Sequence, residues 1–550
     1  MCGIYCRISR HGHHPVPSTI NDLLAKRGPY SLKEHRTVVS GVYITLVASV
    51  LPLRGSDLVP QPLVDENPAS VLCWNGEAWK INDEAVTGND SQLIFQKLRD
   101  AASGTDARSS IASFLSQIRG PFACVFLDQS SEKLYFGRDC LGRRSLVKTT
   151  TSEGDIVISS VPYHQDQDLW TEVEADGMYV LSLTSPRQDF NSNAFVINRI
   201  PLSLENEQVE AETIRVPYPA LCDEIPSEAP PSLQLTSKCI ETLHSLLFHS
   251  VQLRAQNLPD SPISPLGVLF SGGLDSALLA YYAHLTLPLD TPIDLLNVAF
   301  QNPRIHKPDF EDPYSSCPDR KTGLSAWNAL RQQCPTRIFN FVAINIPFTE
   351  TTAHRQTIID LMHPHKTEMD LSIASALYFA SRGQGSLVST AEPPSFTPYY
   401  TPTRVLLSGL GADELFGGYV RHATAFSRRG YRGLLDELEL DFGRLGKRNL
   451  GRDDRVTSTW GREVRYPFLD EDVVGAAVRA PVWEKCGFGM PESTSAEEPR
   501  LEPGKLALRL LAWKAGLHNV AREPKRAIQF GSRTAKMSTH KSKGTDELVA

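Results

Sequence analysis

The sequence predicts two domains, a strand-rich α+β domain followed by an α/β domain with a doubly wound parallel sheet. At 550 residues the chain is too long for a single hydrophobic core. A strand is predicted at residues 122–127, and short alternating strands follow the segment 141–146 up to about residue 200. A strand, a glycine turn and an apolar helix then occupy residues 266–282, and a second strand and glycine turn occupy residues 405–419.

The boundary between the domains is predicted from composition. Residues 217–231 are rich in Pro and Glu and have no hydrophobic period, so a linker is assigned to residues 216–232. The first domain is then 2–215 and the second is 233–533. The tail at 534–550, rich in Lys and Ser, is predicted to be disordered.

Composition restricts the class of protein. With 41% hydrophobic and 22% charged residues the chain has the composition of a soluble globular protein, and its net charge of −7 gives no reason to expect nucleic acid or a membrane as partner. It contains no apolar run of the roughly 18 residues that a bilayer span needs, and no signal-peptide core. Ten cysteines without a CxxC pair indicate neither a zinc site nor a disulfide framework. We expect a cytoplasmic protein with reduced thiols.

Apolar patterns specify several elements of the second domain. Residues 238–253 have apolar positions at helical spacing, and residues 266–270 and 293–300 are predicted to be buried strands. The polar, proline-containing segments 302–316 and 383–403 are predicted to be surface insertions.

The segment Ser271-Gly272-Gly273-Leu274-Asp275-Ser276 is predicted to form the first glycine turn. Such a turn directs backbone N–H groups and the positive end of a helix at one point, and paired glycines let an anion approach closely. Asp275 has the wrong charge for phosphate unless a divalent cation such as Mg²⁺ lies between them. The turn therefore predicts an ATP–Mg²⁺ site, and a plain serine–glycine turn capping a helix is the alternative. The string resembles the pyrophosphate loop of the ATP pyrophosphatases, which adenylylate their substrates.

The chain begins Met1-Cys2-Gly3-Ile4. If Met1 is removed, the α-amino group of Cys2, with a typical pKa of about 8, can act as general base for the thiol of the same residue. An incidental N-terminal cysteine is the alternative. The motifs that follow resemble, in their order, those of glutamine amidotransferases with an N-terminal cysteine nucleophile. They are RGP at 27–29, WNGE at 74–77, GND at 88–90 and FGRD at 136–139.

This resemblance implies an N-terminal nucleophile domain with an αββα sandwich and gives roles to its residues. Cys2 would attack the glutamine amide, while Asn75 and the N–H of Gly76 would form the oxyanion hole. Asn75, Glu77 and Asp90 would bind glutamine, Asp90 through its amino group. From the residues alone, Asn75-Gly76 could instead be a hairpin turn, and Asp90 could be the N-cap of the next helix.

The first domain departs from that pattern at two places. Family members usually carry an arginine upstream of a QPL-like segment, where it binds the glutamine carboxylate. Here Ser49-Val50-Leu51 occupies the corresponding place before Gln61-Pro62-Leu63, and Arg54, at a different spacing, could take over. Tyr30 follows Arg27-Gly28-Pro29 where the family usually has an acid.

The second glycine turn, in VLLSGLGADELFGGY at 405–419, carries Asp413 and Glu414. In a doubly wound sheet the loops at the carboxyl ends of neighbouring strands meet over one crevice, so the two turns can bind one nucleotide. A glycine-rich turn with two solvated acids is the alternative.

This second signature resembles asparagine synthetase, as do residues 462–470 and the segments around Lys505 and Lys525. The resemblance implies an ATP pyrophosphatase fold of the adenine nucleotide α-hydrolase-like kind. It places Mg²⁺ on Asp275 and Asp413, and Lys525 as a catalytic cation facing the developing pyrophosphate. The residues that it implies for ATP binding are Leu269, Ser271, Gly272, Gly273, Asp275, Ser276, Val298, Ser408 and Gly409.

Leu410 is the departure that bears most on the chemistry. Asparagine synthetases normally have a glutamate there, which is implicated in the synthetase step, and a leucine can neither accept a proton nor carry a charge. Adenylylation is therefore better supported than completed amide synthesis.

Nearly the whole chain resembles one branch, the asparagine synthetase domain-containing protein family. The segments that carry this resemblance are LGRRSL at 141–146, CPDR to TG at 317–323, HP at 363–364, GR at 443–444, RNLGRDDR at 448–455 and PKRAIQFGS at 524–532. The charged side chains of RNLGRDDR could form no more than a solvated network at a helix end.

The resemblance implies an ATP- and Mg²⁺-dependent, glutamine-hydrolysing amidotransferase of the asparagine synthetase type, acting on small molecules. Ammonia released at Cys2 would amidate a carboxylate, by resemblance that of aspartate in asparagine biosynthesis, through an acyl-adenylate. Two alternatives stay open. One is a regulatory or scaffold homologue that keeps the fold without net turnover, and the other is an enzyme that adenylylates a different acid.

Overall fold

The structure is a computed structural model. It describes residues 2–55, 57–67, 69–163, 169–184, 195–205, 207, 212–255, 258, 265–306, 311–391, 393–490, 500–537 and 543–548. Met1, whose removal would free the α-amino group of Cys2, lies outside the described residues, as do parts of the predicted insertion at 302–316 and of the tail at 534–550.

The strands are β1 Cys2–Ser9, β2 Ser31–Val39, β3 Val42–Val50, β4 Leu63–Glu66, β5 Ala69–Gly76, β6 Lys80–Ile81, β7 Glu84–Ala85, β8 Ile118–Arg119, β9 Phe122–Asp128, β10 Lys133–Arg138, β11 Val147–Thr150, β12 Ile156–Ser159, β13 Thr171–Glu172, β14 Gly177–Ser182, β15 Ile197–Ser203, β16 Ile214–Arg215, β17 Leu266–Leu269, β18 Ile293–Phe300, β19 Phe339–Ile346, β20 Gln384–Val388, β21 Phe396–Tyr400, β22 Val405–Leu407 and β23 Glu463–Arg465.

The helices are α1 Ser18–Arg27, α2 Asp90–Ala102, α3 Ala107–Gln117, α4 Lys238–Ala255, α5 Leu274–Thr286, α6 Pro318–Gln333, α7 Phe348–Met362, α8 Glu368–Arg382, α9 Ala412–Phe416, α10 Val420–Gly443, α11 Leu445–Arg448, α12 Leu450–Ser458, α13 Glu471–Arg479, α14 Leu506–Lys514, α15 His518–Arg522 and α16 Ile528–Gly531. Short 3₁₀ turns occupy Pro467–Leu469 and Val482–Glu484.

The chain divides into two compact units. Unit 1 contains Met1–Pro217, Ile359–His365 and Leu445–Arg462, and unit 2 contains the remaining segments, Tyr218–Ile358, Lys366–Arg444 and Glu463–Ala550. The first break falls at the start of the predicted linker. The prediction of two continuous domains differs from this division, because two segments of the predicted second domain, Ile359–His365 and Leu445–Arg462, group with unit 1.

Unit 1 is built on two large sheets, with strand orders β13-β11-β12-β1-β3-β2 and β16-β15-β14-β10-β9-β5-β4. Strand β9 is buried along its whole length because alternate residues serve two cores. Ala123 and Val125 belong to the core that both sheets share, while Phe122 and Phe126 belong to a core with α2 and α3.

Helices cover the outer faces of these two sheets. In α2 and α3, Ile94 and Ile111 pack against the second sheet. In α1, Ile20 and Leu24 pack against the first sheet, where they meet Tyr5 of β1. Unit 1 therefore has the four layers of an αββα sandwich, which confirms the fold class predicted for the first domain.

Unit 2 has one seven-stranded sheet with the order β21-β20-β19-β18-β17-β22-β23. Five neighbouring strands of this sheet, in the order β19-β18-β17-β22-β23, pair in parallel. Successive strands run outwards from β17 in one direction up to β19, and the sheet then continues from β17 in the other direction with β22 and β23. This reversal between β17 and β22 is the switch point of a doubly wound sheet, where ligands bind. It confirms the predicted class, and β18 has the predicted bounds.

One local prediction in unit 2 is wrong, and a second segment, predicted to be a surface insertion, contains two strands whose residues are half-buried or exposed. The predicted turn at 271–276 is shorter than expected, because α5 begins at Leu274 and has Asp275 in its first turn. The predicted insertion at 383–403 contains β20 and β21, which extend the sheet as antiparallel strands. Pro398 lies in β21, and an edge strand tolerates proline because one side of its backbone has no strand to bond.

The charged residues of RNLGRDDR that lie in α12 do not form a solvated network, which was one interpretation of this string. Every residue of α12 is buried, including Arg452, Asp453, Asp454 and Arg455. In the predicted disordered tail, the described part bonds to the start of α8, since Leu548 N–H donates to the Lys366 carbonyl.

The structure also bears on the expected state of the cysteines and on membrane-spanning helices. All ten cysteines lie in described residues, and none of them forms a disulfide. Within the described part of the chain, no helix combines the length and apolar character that crossing a bilayer requires.

Candidate active sites

Cys2 is the first residue of β1, and its side chain is buried. Its backbone N–H donates to Asn75 Oδ1 at 2.9 Å, and its carbonyl accepts from Arg27 Nε at 3.4 Å. Gln61 Nε2 lies 3.8 Å from the Cys2 sulfur, while Gln61 Oε1 accepts from Trp74 N–H at 2.7 Å. The predicted nucleophile is thus anchored on both sides of its backbone.

Asn75 is fully buried near the end of β5, and only one of its two side-chain polar atoms has a hydrogen-bond partner among the described residues. Its Oδ1 accepts from Cys2, whereas Nδ2 has no hydrogen-bond partner among the described residues. A buried amide donor without a protein partner is costly unless water, an ion or a ligand completes its bonding, so this donor is open to a ligand. Because Asn75 and Gly76 are paired in the strand opposite Ala123 and Phe122, the hairpin-turn alternative is wrong.

Asp90 is the first residue of α2, and its carboxylate points into unit 1. Its Oδ2 accepts from Ala78 N–H at 2.8 Å and from Trp74 Nε1 at 3.2 Å. Burial raises the pKa of Asp90, against the lowering effect of the Arg54 charge and these hydrogen bonds. The N-cap alternative for Asp90 is wrong, because Asn89 caps the helix by accepting from Gln92 N–H.

Arg54, the substitute considered for the missing carboxylate-binding arginine, is buried and already engaged. Its guanidinium donates to the carbonyls of Ala78 and Val86, and its Nε lies 3.5 Å from Glu77 Oε2. These contacts hold Arg54 against Glu77, a predicted glutamine-binding residue. Tyr30, which replaces the usual acid, is mostly exposed to solvent.

In unit 2 the first glycine turn follows β17 and leads into α5. Gly272 has a φ of +79°, and a Cβ at that position would lie 2.4 Å from the Gly323 Cα, so only glycine fits. Gly273 is the N-cap of α5, and its N–H donates to Ser271 Oγ at 3.3 Å. Ser276 Oγ donates back to the Gly273 carbonyl at 3.2 Å. The next N–H groups of α5 have no partner within the helix, as at any helix start.

The second glycine turn follows β22, which pairs with β17. A Cβ on Gly409 would lie 2.8 Å from the Asp275 Cβ, so the two turns meet at the switch point of the sheet. Ser408 N–H donates to the Arg465 carbonyl at 3.0 Å, and Leu410 is half-buried beside it. Of the other residues predicted for ATP, Leu269 ends β17 and Val298 is buried in β18.

The two acids predicted to hold Mg²⁺ converge on a lysine. Lys505 Nζ lies 2.8 Å from Asp275 Oδ2 and 2.8 Å from Asp413 Oδ1, and Lys525 Nζ donates to Asp413 Oδ2. Burial acts to raise the pKa of Asp413, but Lys505 and Lys525 outweigh it and lower that pKa. Burial acts to lower the pKa of Lys505, and the two aspartates raise it instead.

These carboxylates fit a divalent cation. Both reach one point, the Lys505 ammonium, and carboxylate oxygens are the ligands that Mg²⁺ prefers. The same point is occupied by an ammonium here, so a cation and Lys505 would share or exchange the two carboxylates.

Glu414 is not a solvated acid, contrary to the alternative considered for the second turn. It is buried, accepts from Gly411 N–H at 3.2 Å and accepts from Tyr419 Oη at 2.7 Å. Burial and the neighbouring Asp413 charge raise the pKa of Glu414.

Sequence reasoning missed three side chains of these clusters. Lys505 was recognised only as part of a similar segment, and Gln61 and Arg27 only as parts of motifs. The signal was present, because all three belong to strings that the family resemblance already singled out.

The comparisons with known proteins place one match in each predicted domain, and the second match includes Leu445–Arg462 of unit 1. A sequence model described as a glutamine amidotransferase domain matches residues 51–164, and one described as asparagine synthase matches residues 427–529. The human asparagine synthetase domain-containing protein 1 is 34% identical, covering 100% of this chain and 97% of that protein. A Saccharomyces cerevisiae asparagine synthetase domain-containing protein is 33% identical over 96% of this chain and 90% of its own length. A putative glutamine-hydrolysing asparagine synthetase of Methanocaldococcus jannaschii is 39% identical over 24% of this chain and 28% of its own.

Proposed function

Because the chain belongs to the asparagine synthetase domain-containing protein family, we propose that it is a glutamine-hydrolysing, ATP-dependent amidotransferase. Its substrates are glutamine, ATP and a carboxylic acid, by family resemblance aspartate, and its products are the amide, glutamate, AMP and pyrophosphate. We expect the reaction in the cytoplasm. The observation that carries the proposal is the pairing of Cys2 with Asn75, whose buried Nδ2 remains available.

In the first half-reaction the Cys2 sulfur attacks the amide carbon of glutamine. The α-amino group of Cys2 takes the thiol proton and passes it to the leaving nitrogen, so ammonia departs and a thioester forms. Asn75 Nδ2 and the N–H of Gly76 stabilise the oxyanion, and water then hydrolyses the thioester to glutamate. Asp90 would bind the amino group of glutamine, and Glu77 is the other acid proposed to contact glutamine.

Asn75 serves this step in two ways. Its Oδ1 fixes the nitrogen that acts as base, and its Nδ2 faces the charge that develops on the substrate oxygen. Because one rigid amide carries both functions, base and oxyanion hole keep a fixed separation.

In the second half-reaction the acceptor carboxylate attacks the α-phosphorus of ATP and expels pyrophosphate. Ammonia then attacks the acyl carbon of the adenylate and expels AMP. The two glycine turns at the switch point of the sheet support phosphate binding through backbone N–H groups. Asp275 and Asp413 would hold Mg²⁺, whose positive charge would offset the negative charge of the phosphates. Lys525 and Lys505 lie beside these acids and would stabilise the negative charge of the leaving pyrophosphate.

A second candidate function is a regulatory or scaffold protein that binds nucleotide without net turnover. Leu410 favours it, because this side chain cannot handle a proton at the synthetase site. The engagement of Arg54 by two carbonyls and Glu77 also favours it, since this arginine is then not available for the glutamine carboxylate.

The test is glutamine hydrolysis by the purified protein and by three variants. Cys2→Ala is expected to abolish hydrolysis. Asn75→Asp keeps an oxygen for the Cys2 nitrogen but removes the donor, and kcat is expected to fall by about 10² to 10³. Asn89→Asp, which keeps the cap of α2, is the matched control and should act like the parent protein.

Hydrolysis that is unchanged in Cys2→Ala would refute the assignment of the nucleophile. No hydrolysis in the parent protein, with Met1 shown by mass spectrometry to be removed, would favour the scaffold function.

A further inference from the structure

Helix α12 lies inside the predicted second domain in sequence but belongs to unit 1. It is charged yet fully buried, and Asp454 and Arg455 contact groups far away in the chain. Buried charges are retained at a cost unless they are paired, so the partners of α12 indicate what it is for.

The partner that matters most is Arg27, the last residue of α1. Arg27 Nη2 donates to Asp454 Oδ2 at 2.8 Å, and Arg27 Nη1 donates to Ser458 Oγ. Its remaining nitrogen, Nε, donates to the Cys2 carbonyl at 3.4 Å. All three nitrogens of one planar guanidinium are therefore used, two on α12 and one on the residue proposed as nucleophile.

Asp454 is itself held from a second direction. Its Oδ2 also accepts from Ser145 N–H at 3.1 Å. The neighbouring Arg455 donates to Ser145 Oγ at 2.8 Å and pairs with Glu172 at 2.6 Å. The LGRRSL loop thus fixes α12, and α12 fixes Arg27.

We propose that Asp454 and Ser458 are positioning residues for the Cys2 nucleophile, acting through Arg27. This inference rests on the proposed glutamine hydrolysis at Cys2. Asn75 holds the nitrogen of Cys2, and Arg27 holds its carbonyl, so the Cα–Cβ bond that carries the sulfur is fixed between two anchors. Without Asp454 the guanidinium can turn away, and the second anchor is lost.

The arrangement assigns a function to the RNLGRDDR string. It also predicts that lysine cannot replace Arg27, because a lysine has one nitrogen and cannot contact Asp454, Ser458 and Cys2 in one plane.

The test compares Asp454→Asn, Ser458→Ala and Arg27→Lys in the full-length protein. Each is expected to lower kcat for glutamine hydrolysis about tenfold or more with little change in KM, because a misplaced nucleophile slows the chemical step rather than binding. Asp453→Asn is the matched control. Asp453 is the neighbouring buried acid, and it pairs with Arg452 instead of Arg27.

A double variant separates positioning from general damage. If Asp454 acts through Arg27, Asp454→Asn causes no further loss of kcat in the Arg27→Lys background. Additive losses would overturn the inference, and so would parent-like kcat values in both Asp454→Asn and Ser458→Ala.

A second measurement keeps the inference distinct from the proposed function. Alkylation of Cys2 by chloroacetamide, followed by peptide mass spectrometry, needs no turnover. Asp454→Asn should alkylate faster at Cys2 but not at Cys73, a buried cysteine of the unit 1 core that reports unfolding. If the parent protein does not hydrolyse glutamine, the proposed function fails, while an unchanged Cys2 rate overturns the positioning role by itself.

Discussion

The Nζ atom of Lys505 donates hydrogen bonds to both carboxylate oxygens of Asp275, at 2.9 and 2.8 Å. The same atom lies 2.8 Å from Asp413 Oδ1. A buried ammonium therefore balances two carboxylates that the proposed reaction would use for Mg²⁺. We therefore expect the charge balance at this point to affect both the stability of unit 2 and its response to Mg²⁺.

The first prediction concerns Lys505→Met. Removing the ammonium leaves the half-buried Asp275 without this cation and leaves the buried Asp413 with Lys525 as its remaining lysine partner, so the free energy of unfolding should fall by about 3 kcal/mol. Mg²⁺ should then raise the melting temperature more than it does in the parent protein, because the cation replaces the missing charge. Differential scanning calorimetry with and without Mg²⁺ measures both effects.

Lys485→Met provides the control for this experiment. Lys485 is another buried lysine of unit 2, and its Nζ donates to the Ala477 carbonyl. Its loss should not create a response to Mg²⁺. An equal Mg²⁺ response in the two variants would contradict the shared cation site at Asp275 and Asp413.

The second prediction concerns Gly272→Ala. The methyl group would lie 2.4 Å from the Gly323 Cα at a φ of +79°, so strain and overlap add up. We expect a loss of roughly 2 to 5 kcal/mol in stability and a loss of ATP binding, measured by urea unfolding and by calorimetric titration. Gly273→Ala, with 3.4 Å to Ser271 Oγ, should cost far less stability. Equal losses in the two variants would show that the close approach to Gly323 is not what matters.

The third prediction concerns Glu172 in unit 1. Burial acts to raise its pKa, but Arg455, His365 and Arg138 outweigh burial and lower the pKa to about 2. Because the pKa is depressed in the folded state, the stabilisation is present above the unfolded value of about 4.5 and is lost as pH falls towards 2.

Glu172→Gln should therefore remove part of the acid sensitivity of unit 1, at a cost of about 3 to 5 kcal/mol at neutral pH. Urea unfolding at several pH values between 7 and 3 measures both the stability at neutral pH and its decline in acid. Glu174→Gln is the control, because its pair with Lys447 is exposed and is expected to contribute at most about 1 kcal/mol. The same pH profile in Glu172→Gln and in the parent protein would refute the role of the buried pair.

The fourth prediction concerns Asp319 at the start of α6. Burial raises its pKa to about 7, although Arg526 and Lys525 act to lower it. The folded state then keeps a proton that the unfolded state releases above its ordinary pKa of 3.8. The contribution to stability is therefore largest at low pH and falls as pH rises from about 4 to 7.

Asp319→Asn should abolish this decline, because the amide does not ionise. Unfolding of the parent protein and of the variant at pH 5 and pH 8 gives the comparison. The stability difference between the parent protein and Asp319→Asn should change between pH 5 and pH 8, to the disadvantage of the parent protein. The same difference at both pH values would contradict the raised pKa of Asp319.

Local patterns were enough to predict much of the fold. The eight-residue apolar run at 293–300 is β18 with the predicted bounds, and the helix predicted from position 238 begins there. Such elements are specified by residues that are neighbours in the sequence. The predicted turn at 271–276 is too long, because Gly273 is the N-cap of α5 and Leu274, Asp275 and Ser276 already belong to the helix.

The partners of charged residues could not be predicted in the same way. Arg27 and Asp454 are 427 positions apart, and nothing in the string RNLGRDDR indicates that its acids are buried against the first domain. Asp275 and Lys505 are 230 positions apart. The sequence shows how many charged residues there are, but only the fold shows which of them form ion pairs.

The measurement that tests the proposed function most directly is ATP–pyrophosphate exchange by the purified protein with Mg²⁺, first with aspartate and then with a panel of other carboxylic acids. We expect exchange that requires both Mg²⁺ and the acid, and that persists in Cys2→Ala, because adenylylation does not use the thiol. No exchange with any acid, from a protein that still binds ATP, would refute the proposed adenylylation.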